Sequence, residues 1–436
     1  MKITDMIVTP ISMADAPLRN STGIHEPYIG RIIVELVSED GLSGLGECSF
    51  STQMLADLEQ VRNGIIGKDA LQVSALWNVI ESSLHPEGGD SLDSVLQNFD
   101  LTPRRKTTAL ERTFSPIEVA ALDLAGKSLG VPVCDLLGGR VRDAVPFSAY
   151  LFYKHAGGGG EGDDAREDVY GEAMTAEAVV AQARQMIDEY GFPSIKLKGG
   201  VLPPDDEIEA IHQLRAAFGA DVPLRIDPNC AWTVDTSLLV GKALASELEY
   251  FEDPTPGLDG MAAVRKGLLD AGIEMPLATN MAVTSYAEIP ESVQKDAVQV
   301  ILGDHHYWGG LRAIVELGRL CKTFGLGLSM HSNSHLGISL MAMTHVAAVT
   351  STLTYDVDTH YPWLHAEDEV IEGGKLSFTN GTMLVPSTPG LGVALDRDAL
   401  ARGNERFERV PYRDRDDVGY MQRNVDPTWE KNLPLW

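Results

Sequence analysis

The sequence has few basic residues and no long apolar run, and each shortage excludes a class of protein. Its 35 lysines and arginines stand against 63 aspartates and glutamates, which gives a formal net charge of −28. Nucleic acids and anionic membrane surfaces are bound through clustered lysine and arginine, so neither is an expected partner. No apolar stretch approaches the roughly 20 residues that cross a bilayer, and the first residues lack the pattern of a secretory signal.

Cysteine is also scarce, and its spacing argues against a disulfide framework. No two of the four cysteines form a CxxC motif; they are Cys48, Cys134, Cys230 and Cys321. Isolated cysteines of this kind are typical of reduced, buried thiols in a cytosolic protein. With 436 residues, 44% of them hydrophobic, the chain is long enough for two or three domains. We therefore expect a globular, cytoplasmic protein.

What the sequence does contain is a set of polar residues at nearly even intervals. Counted from Lys198, which forms a pair with Lys196, the intervals are 29, 25, 28, 24 and 27 residues. The positions are Asp227, Glu252, Asn280, Asp304 and His331. Each interval is about one strand-plus-helix unit of a parallel barrel, and each residue stands at or near the end of a short apolar run. Since barrel strands end at one common mouth, the spacing predicts an active site there.

The first 140 residues do not follow this rhythm. Strands are predicted at 3–10 and 30–37, and helices follow them. One helix is predicted to start at Ser115, which can form a capping box with Glu118. Strands followed by a block of helices are typical of a separate α+β domain, here assigned to residues 1–140.

The rest of the chain is predicted to form a barrel and a tail. Residues 141–377 alternate strand and helix over seven or eight units, which favours a (β/α) barrel over an open sheet. Residues 378–436 are irregular and charged, and we expect them to pack back on the first domain. The glycine-rich stretch 157–162 lacks the Gly-Lys-Ser/Thr ending of a phosphate loop, so it predicts a flexible surface loop.

Three of the evenly spaced residues offer hard oxygen ligands. Asp227, Glu252 and Asn280 would come from three neighbouring strand ends, and carboxylate and amide oxygens suit Mg²⁺. A single acid after a strand more often caps a helix or is solvated. Three in register, two of them followed closely by proline, favour a magnesium site.

Two groups are candidate bases on either side of that site. Lys196 and Lys198 are two residues apart on a strand, so both point into the barrel mouth. Mutual repulsion and burial are expected to lower the pKa of one of them, which would provide a neutral amine. A solvated strand end is the alternative for the lysines alone.

The second candidate is His331, with Asp304 one unit earlier. A carboxylate bonded to an imidazole fixes its tautomer and raises its basicity, although a single histidine at a strand end is more often structural. His305 and His306 have no matching partners in the sequence, and we interpret them as packing or supporting residues.

Together these groups indicate a reaction class. A divalent metal that neutralises a carboxylate, flanked by bases on both faces of the neighbouring carbon, suits proton abstraction next to a carboxylate. Such a proton is very weakly acidic, so charge stabilisation has to lower much of the barrier.

The motifs resemble those of the enolase superfamily and, within it, the D-glucarate dehydratase group. They are Ile195-Lys-Leu-Lys-Gly-Gly200, Asp227-Pro-Asn-Cys-Ala-Trp232, Glu252-Asp-Pro, Ala278-Thr-Asn-Met281, Asp304 with Trp308, His331-Ser-Asn-Ser-His-Leu-Gly-Ile-Ser339 and Asp358-Thr-His360. The resemblance implies a modified (β/α)7β barrel, a capping domain built from the N-terminal region and the C-terminal tail, and a required Mg²⁺.

The resemblance also implies roles for single residues. Lys198 would be the base on one face, with Lys196 holding the substrate carboxylate and lowering the pKa of Lys198. His331, assisted by Asp304, would be the base on the other face and the acid for the departing hydroxyl, and Asn229 would contact the reacting carboxylate. The implied substrate-binding positions are Asn20, His25, Asn98, Tyr150, Ser332, His360 and Arg415. Three features depart from the group: Cys230 in place of glycine, Asn98 in place of threonine, and the glycine-rich insertion.

These inferences lead to a hypothesis with named rivals. We expect a Mg²⁺-dependent dehydratase that converts D-glucarate, and L-idarate, to 5-dehydro-4-deoxy-D-glucarate through an enediolate, acting on its small-molecule substrate as a homo-oligomer. The rivals are an epimerase or racemase on the same scaffold, a dehydratase of a different acid sugar, and a non-catalytic sugar-acid binding protein. The last would be expected to lose a metal or base position, and none is lost.

Overall fold

The computed structural model describes residues 1–84 and 108–436. The prediction that Asn98 binds substrate falls outside the described residues. Each of the four cysteines is buried and outside any disulfide, as expected. Within the described ranges, no helix is both long and apolar enough to cross a membrane.

The N-terminal region forms a three-stranded antiparallel sheet. Its strands are β1 (Ile3–Ala14), β4 (Tyr28–Ser38) and β5 (Ser43–Ser49), in the order β1-β4-β5, and the short pair β2 (Arg19–Asn20) and β3 (Gly23–Ile24) lies in the loop between β1 and β4. The described helices of this region are Thr52–Ile65, Val73–Leu84, Ala109–Leu129 and Val133–Leu136. A Cβ on Gly44 or Gly46 of β5 would lie 2.0 Å from a carbonyl oxygen of the long helix. Glycine at these two positions therefore allows helix and strand to pack in close contact.

The start of that long helix differs from the prediction. It begins at Ala109, not at Ser115, and Thr108 and Glu111 form the capping box, with Thr108 N donating to Glu111 Oε2 at 3.0 Å. Two capping-box patterns compete within eight residues, and the earlier one adds nearly two turns of buried helix. Ser115 is fully buried inside the helix.

Eight parallel strands form a nearly closed barrel. In chain order they are β6 (Ala144–Phe152), β7 (Ser194–Lys198), β8 (Leu224–Asp227), β9 (Leu248–Glu252), β10 (Leu277–Thr279), β11 (Val300–Gly303), β12 (Gly327–Met330) and β13 (Val357–Asp358). Each strand from β6 to β12 pairs with the next, and β13 returns to pair with β6. The helices between them are Ala176–Tyr190, Pro204–Phe218, Val234–Ala243, Gly257–Asp270, Ile289–Gln294, His305–Trp308, Leu311–Phe324 and Gly337–Val349. Seven strand-helix units followed by one strand confirm the predicted (β/α)7β fold class.

The residues after the barrel run back to the N-terminal sheet. β14 (Thr382–Leu384) pairs antiparallel with β6, and the helix Arg397–Arg409 packs on β1. Arg397 forms two 2.7 Å hydrogen bonds with the Glu35 carboxylate, and the Asn404 amide donates to Pro10 O at 2.8 Å. A last helix covers Asp417–Asn424. The tail thus contributes to the capping domain, while the boundaries at 140 and 377 stay a proposal.

The glycine-rich stretch, predicted to be a flexible surface loop, makes hydrogen bonds with the loop after β1 and with the start of β4. Gly160 N donates to Pro27 O at 2.8 Å, and the Tyr28 hydroxyl donates to Glu161 O at 3.2 Å. A Cβ on Gly159, at φ +86°, would lie 2.1 Å from Asp15 O. Glycine therefore serves close approach to the neighbouring loop here, besides left-handed backbone.

Candidate active site

A cavity of about 400 Å³ lies at the carboxyl ends of the barrel strands. Its walls come from the barrel, from the loop that carries β2 and β3, and from the tail segment 413–415. Eleven predicted site residues line it: Asn20, His25, Tyr150, Lys198, Asn229, Asn280, Asp304, His331, Ser332, His360 and, from the tail, Arg415. Lys196, Asp227 and Glu252 are fully buried. All the described candidates are thus gathered in one region.

Lys198 reaches the cavity from the end of β7. The parallel register sets Lys198 opposite Asp227 on β8, and its ammonium lies 2.6 Å from Asp227 Oδ2 and 3.0 Å from Asn229 Oδ1. Asn229 and Cys230 adopt left-handed backbone, with φ of 55° and 63°. Such a turn favours glycine or asparagine, which gives a physical reason for the glycine usually found where Cys230 stands.

Lys196 lies deeper in the barrel and meets more carboxylates. Its ammonium lies 2.6 Å from Asp358 Oδ2 and 2.6 Å from Glu252 Oε2, and the Tyr150 ring centroid is 4.7 Å away. The ammonium is therefore surrounded by negative charge and by an aromatic face, in an environment without solvent.

The expected lowering of a lysine pKa is wrong for this arrangement. Burial is the largest single effect and lowers the pKa of Lys198, but Asp227 and the surrounding charges outweigh it, so the pKa is raised. For Lys196 burial is again outweighed, by Asp358 and Glu252, and its pKa is well above the usual value. The sequence argument counted the repulsion between two lysines and not the carboxylates around them.

Some of the proposed ligand atoms lack a hydrogen bond, which fits a bound cation, although Glu252 Oε2 forms an ion pair with Lys196 at 2.6 Å. Both carboxylate oxygens of Glu252 and Oδ1 of Asn280 are buried and find no hydrogen-bond donor among the described residues. Lys196 is close to Glu252 Oε2 but does not meet hydrogen-bond geometry. Burial and then repulsion from Asp227 hold the pKa of Glu252 well above its usual value. A divalent cation would satisfy these oxygens and offset this repulsion.

A further acid, Asp253, fixes the position of Asn280. Its carboxylate accepts hydrogen bonds from Thr279 Oγ1 at 2.5 Å and from Asn280 N at 2.9 Å. Burial, with repulsion from Asp227, raises the pKa of Asp253 to about 6. Asp253 therefore supports the proposed metal site without being one of its predicted ligands.

Across the mouth, Asp304 binds the histidine predicted as its partner. Asp304 Oδ2 lies 2.9 Å from His331 Nδ1, which leaves Nε2 of His331 as the second ring nitrogen. Asp304 Oδ1 lies 2.8 Å from Nδ1 of His306. Burial alone would raise the pKa of Asp304, but His306 and His331 hold it well below its usual value. The interpretation that His306 has no matching partner is therefore wrong, since it shares the carboxylate of Asp304.

Tyr150, Ser332 and His360 form one wall of the cavity. Ser332 Oγ lies 3.1 Å from His360 Nδ1, and the rings of Tyr150 and His360 meet edge to face at 4.7 Å. Burial, followed by the nearby His331, holds the pKa of His360 well below its usual value, so its imidazole is neutral near pH 7. This wall offers neutral hydrogen-bonding groups to a ligand.

The opposite wall is held by contacts between the loop and the tail. Asn20 Oδ1 accepts three hydrogen bonds, from Thr22 and Gly23, and its Nδ2 donates to Asp417 Oδ2 at 3.0 Å. Arg415 Nε donates to Asp417 Oδ1 at 2.8 Å, and His25 Nδ1 lies 3.0 Å from Asp15 Oδ2. Most hydrogen-bonding groups of the Asn20 side chain are thus used in contacts that organise the loop.

Sequence reasoning assigned no role to several residues of this site. Asp358, which pairs with Lys196, follows His331 by 27 residues, so extending the observed intervals by one unit would have found it. Tyr307 and Asn333 line the cavity as well. Tyr307 lies in the short helix His305–Trp308 and Asn333 in the loop after β12, so neither falls on the regular intervals of the strand ends.

Two family profiles match the chain. Residues 2–138 match the N-terminal domain of mandelate racemase and muconate lactonizing enzymes, and residues 178–399 match the enolase C-terminal domain-like family. A probable glucarate dehydratase of Streptomyces coelicolor is 45% identical over 443 residues, covering all of this chain and 99% of the relative. An arabinonate dehydratase of Saccharolobus solfataricus is 26% identical, covering 87% of this chain and 91% of the relative.

Solved structures agree over the full length. An enolase of Mycobacterium smegmatis in complex with formate and acetate has 50% identity and a TM-score of 0.92, with 100% of this chain and 98% of that chain covered. An enolase of Gibberella zeae in complex with magnesium, formate and sulfate has 47% identity and a TM-score of 0.91, with 100% and 97% covered.

Proposed function

Because the chain belongs to the enolase superfamily, within its acid-sugar dehydratases and isomerases, we propose that it dehydrates D-glucarate and L-idarate to 5-dehydro-4-deoxy-D-glucarate. One observation carries the proposal: Lys198 and His331 both line the cavity in which Asn280 offers an unpaired buried oxygen. Two bases and an oxygen-ligand set suit proton removal next to a carboxylate, followed by loss of the neighbouring hydroxyl.

Magnesium is the metal that the oxygen donors fit. Mg²⁺ would be held by Asp227, Glu252 and Asn280. It would neutralise the carboxylates that raise the pKa of Lys198, and it would also neutralise the negative charge that develops on the substrate.

The first step is removal of the α-proton. Lys198 Nζ is the base for a proton on its face, and Nε2 of His331 is the base for a proton on the opposite face. Nδ1 of His331 is held by Asp304 at 2.9 Å, so only Nε2 is free to exchange a proton with the substrate. The electron pair of the broken C–H bond moves into an enediolate.

The second step is elimination at the neighbouring carbon. The C–O bond breaks, the departing hydroxyl takes a proton from His331 Nε2, and one water leaves. The resulting enol ketonises to the keto acid. His331 is needed on either route, because it acts as the acid when Lys198 is the base and as both base and acid when it removes the proton itself.

The ends of the cavity support a diacid substrate. His25 on the N-terminal loop and Arg415 on the tail both line the cavity and suit a second carboxylate. This favours an aldarate over a monocarboxylic acid sugar. Arg415 also forms an ion pair with Asp417, which offsets part of its positive charge. We therefore expect a small sugar diacid with several hydroxyls as the ligand, rather than a simple dianion.

The test is a panel of acid sugars assayed for keto-acid formation, with Mg²⁺ and then with EDTA. We expect D-glucarate and L-idarate to give the same product, and EDTA to abolish it. A faster reaction with a monocarboxylic aldonate would replace the substrate assignment. In D₂O, α-hydrogen exchange without keto acid would indicate an epimerase.

A further inference from the structure

The carboxylate of Asp304 is divided between two histidines. Oδ2 faces Nδ1 of His331 at 2.9 Å, at the cavity wall. Oδ1 faces His306, with Nδ1 at 2.8 Å and the backbone N at 2.9 Å. Asp304 therefore has one oxygen for the residue that meets the substrate and one for a residue behind it.

The surroundings of His306 determine which of its nitrogens carries a proton. Nε2 lies 3.5 Å from an Arg31 guanidinium nitrogen and 3.1 Å from Ser339 Oγ. A guanidinium can only donate, so Nε2 must accept. The proton is then on Nδ1, where it is donated to Asp304.

Arg31 is itself fixed by a buried ion pair. Its Nε donates to Glu47 Oε1 at 2.8 Å, and both side chains are fully buried. Glu47 also accepts from the backbone N of Leu336 and of Ser339, each at 2.9 Å. A continuous line of contacts thus runs from the capping sheet through His306 to Asp304.

The other groups around His306 leave this arrangement intact. The ring of His305 packs against it at a tilt of 36°, with centroids 3.9 Å apart, and burial holds the pKa of His305 well below its usual value, so it brings no charge. With Oδ1 occupied, the carboxylate of Asp304 cannot rotate without losing two hydrogen bonds. Its other oxygen stays directed at His331.

We propose that His306 is a positioning residue for the His331–Asp304 pair, and that the buried Arg31–Glu47 pair ties it to the capping sheet. The proposal deepens the proposed function and rests on it, because it assigns His306 to the face of the substrate served by His331. It differs from a structural role in its consequence: loss of His306 impairs proton exchange on the His331 face and the elimination, which uses His331 on either route, but not proton exchange on the Lys198 face.

The test compares His306→Leu, which removes the donor to Asp304, with His306→Asn, whose amide can replace it. Exchange of the α-hydrogen with D₂O is followed by NMR for the two epimers, whose protons lie on opposite faces. For His306→Leu we expect exchange on the His331 face and dehydration to fall about 10- to 100-fold, with KM little changed. Exchange on the Lys198 face is expected to continue at the parent rate, and His306→Asn to recover most of the loss.

His345→Leu is the matched control. His345 is another buried histidine with two hydrogen bonds, to Cys134 N and Leu391 O, in the helix Gly337–Val349. His345→Leu should lower thermal stability by removing a buried histidine, but it should leave proton exchange on both faces at the parent rate. It therefore separates a loss of stability from a loss of positioning at the active site. Parent activity in His306→Leu, or an equal loss on both faces, would overturn the proposal.

A second measurement needs no sugar. Diethylpyrocarbonate modifies unprotonated imidazole, and the modified histidine is identified by mass spectrometry. We expect His331 to react more slowly in His306→Leu than in the parent and His306→Asn to restore the rate. Equal rates in all three would refute the positioning role even if the substrate assignment failed, whereas absence of turnover in the parent would refute only the proposed function.

Discussion

Among the described residues, none donates a hydrogen bond to the buried oxygens Asn280 Oδ1 and Glu252 Oε1, whereas Glu252 Oε2 forms an ion pair with Lys196 at 2.6 Å. Leaving a buried polar group unpaired costs roughly 1–3 kcal/mol, and more for a charged one. Unpaired buried oxygens at neighbouring strand ends therefore indicate a ligand that offsets this free-energy cost. A bound cation is the ligand that carboxylate and amide oxygens fit.

Replacing Asn280 tests this directly. Asn280→Ala removes one neutral ligand and is expected to weaken Mg²⁺ binding by about 10-fold or more, in line with the loss of one good oxygen contact. Calorimetric titration of the sugar-free protein with Mg²⁺ measures it. Asn404→Ala, on the outer helix Arg397–Arg409, is the control, and equal Mg²⁺ affinity in both variants would remove Asn280 from the ligand set.

The role of Lys198 as a base can also be tested by substitution. Lys198→Met should reduce α-hydrogen exchange on the lysine face by roughly 10²- to 10⁴-fold, the usual contribution of a positioned base. Exchange on the His331 face should persist. Lys154, a buried lysine paired with Asp168 outside the cavity, provides the control substitution Lys154→Met. If the control lost as much exchange as Lys198→Met, the base assignment would fail.

The elements of the barrel could be predicted because their information is local. A strand and a helix need a fixed length of chain, so the positions from Lys198 to His331 follow a rhythm that leads on to Asp358. The capping-box competition at Thr108 and Ser115 shows the limit of such reasoning, since two local signals differed and tertiary burial decided between them.

The contacts between domains could not be predicted in this way. Arg31 donates to Asn333 across 302 positions of the sequence, and His306 meets Arg31 across 275. No periodicity links such residues, because their proximity depends on how two separately folded parts dock. The contact of His306 with Arg31 was missed for that reason, whereas its contact with Asp304, two residues away, was missed because Asp304 was assigned to His331 alone.

Helices of the barrel receive capping groups from the N-terminal region. Glu118 accepts from Leu311 N at the start of the helix Leu311–Phe324, and a Cβ on Gly310 would collide with its carboxylate. Glu47 serves the helix Gly337–Val349 in the same way. Unpaired N–H groups at helix starts are thus satisfied by another domain.

Glu118 gives a pH prediction for this interface. Burial, only partly offset by the hydrogen bond from Leu311 N, raises the pKa of Glu118 from 4.5 to about 8. Between these values the unfolded chain has released the proton and the folded chain keeps it, so this group lowers stability as pH rises through the window. Glu118→Gln removes the effect while keeping an acceptor. Its melting temperature relative to the parent should therefore increase from pH 5 to pH 8.

Glu405→Gln, an exposed substitution on the helix Arg397–Arg409, should show no such trend. A difference between Glu118→Gln and the parent that stays constant with pH would mean that Glu118 is ionised in the folded protein.

Over the whole molecule, the cavity is completed by segments that are distant in the chain. Asp417 binds Asn20 and Arg415, and the Trp429 indole donates to Thr22 O at 3.0 Å. The Arg19 guanidinium lies 5.3 Å from the Trp429 ring. The tail therefore fastens the loop that forms one wall. Assembly as a homo-oligomer and a cytoplasmic location remain predictions.

Asp417→Ala should loosen that wall. Asn20 and Arg415 both lose a partner, and a charge-assisted hydrogen bond is worth about 1.5–3 kcal/mol, so KM for D-glucarate should rise by about 10-fold or more with a smaller change in kcat. Steady-state kinetics measure both. Asp416→Ala removes the neighbouring carboxylate, which caps the last helix, and should leave KM close to the parent value. Equal effects of the two substitutions would contradict the assignment.

The same fastening has a consequence for synthesis of the protein. Asn20 leaves the ribosome early, while Asp417 and Trp429 are added about 400 residues later. A nascent chain can complete the barrel and still lack one wall of its cavity. The cavity is thus completed only after residues 417–429 are added, and chains that stop before residue 417 would contain the proposed metal and base residues without this wall.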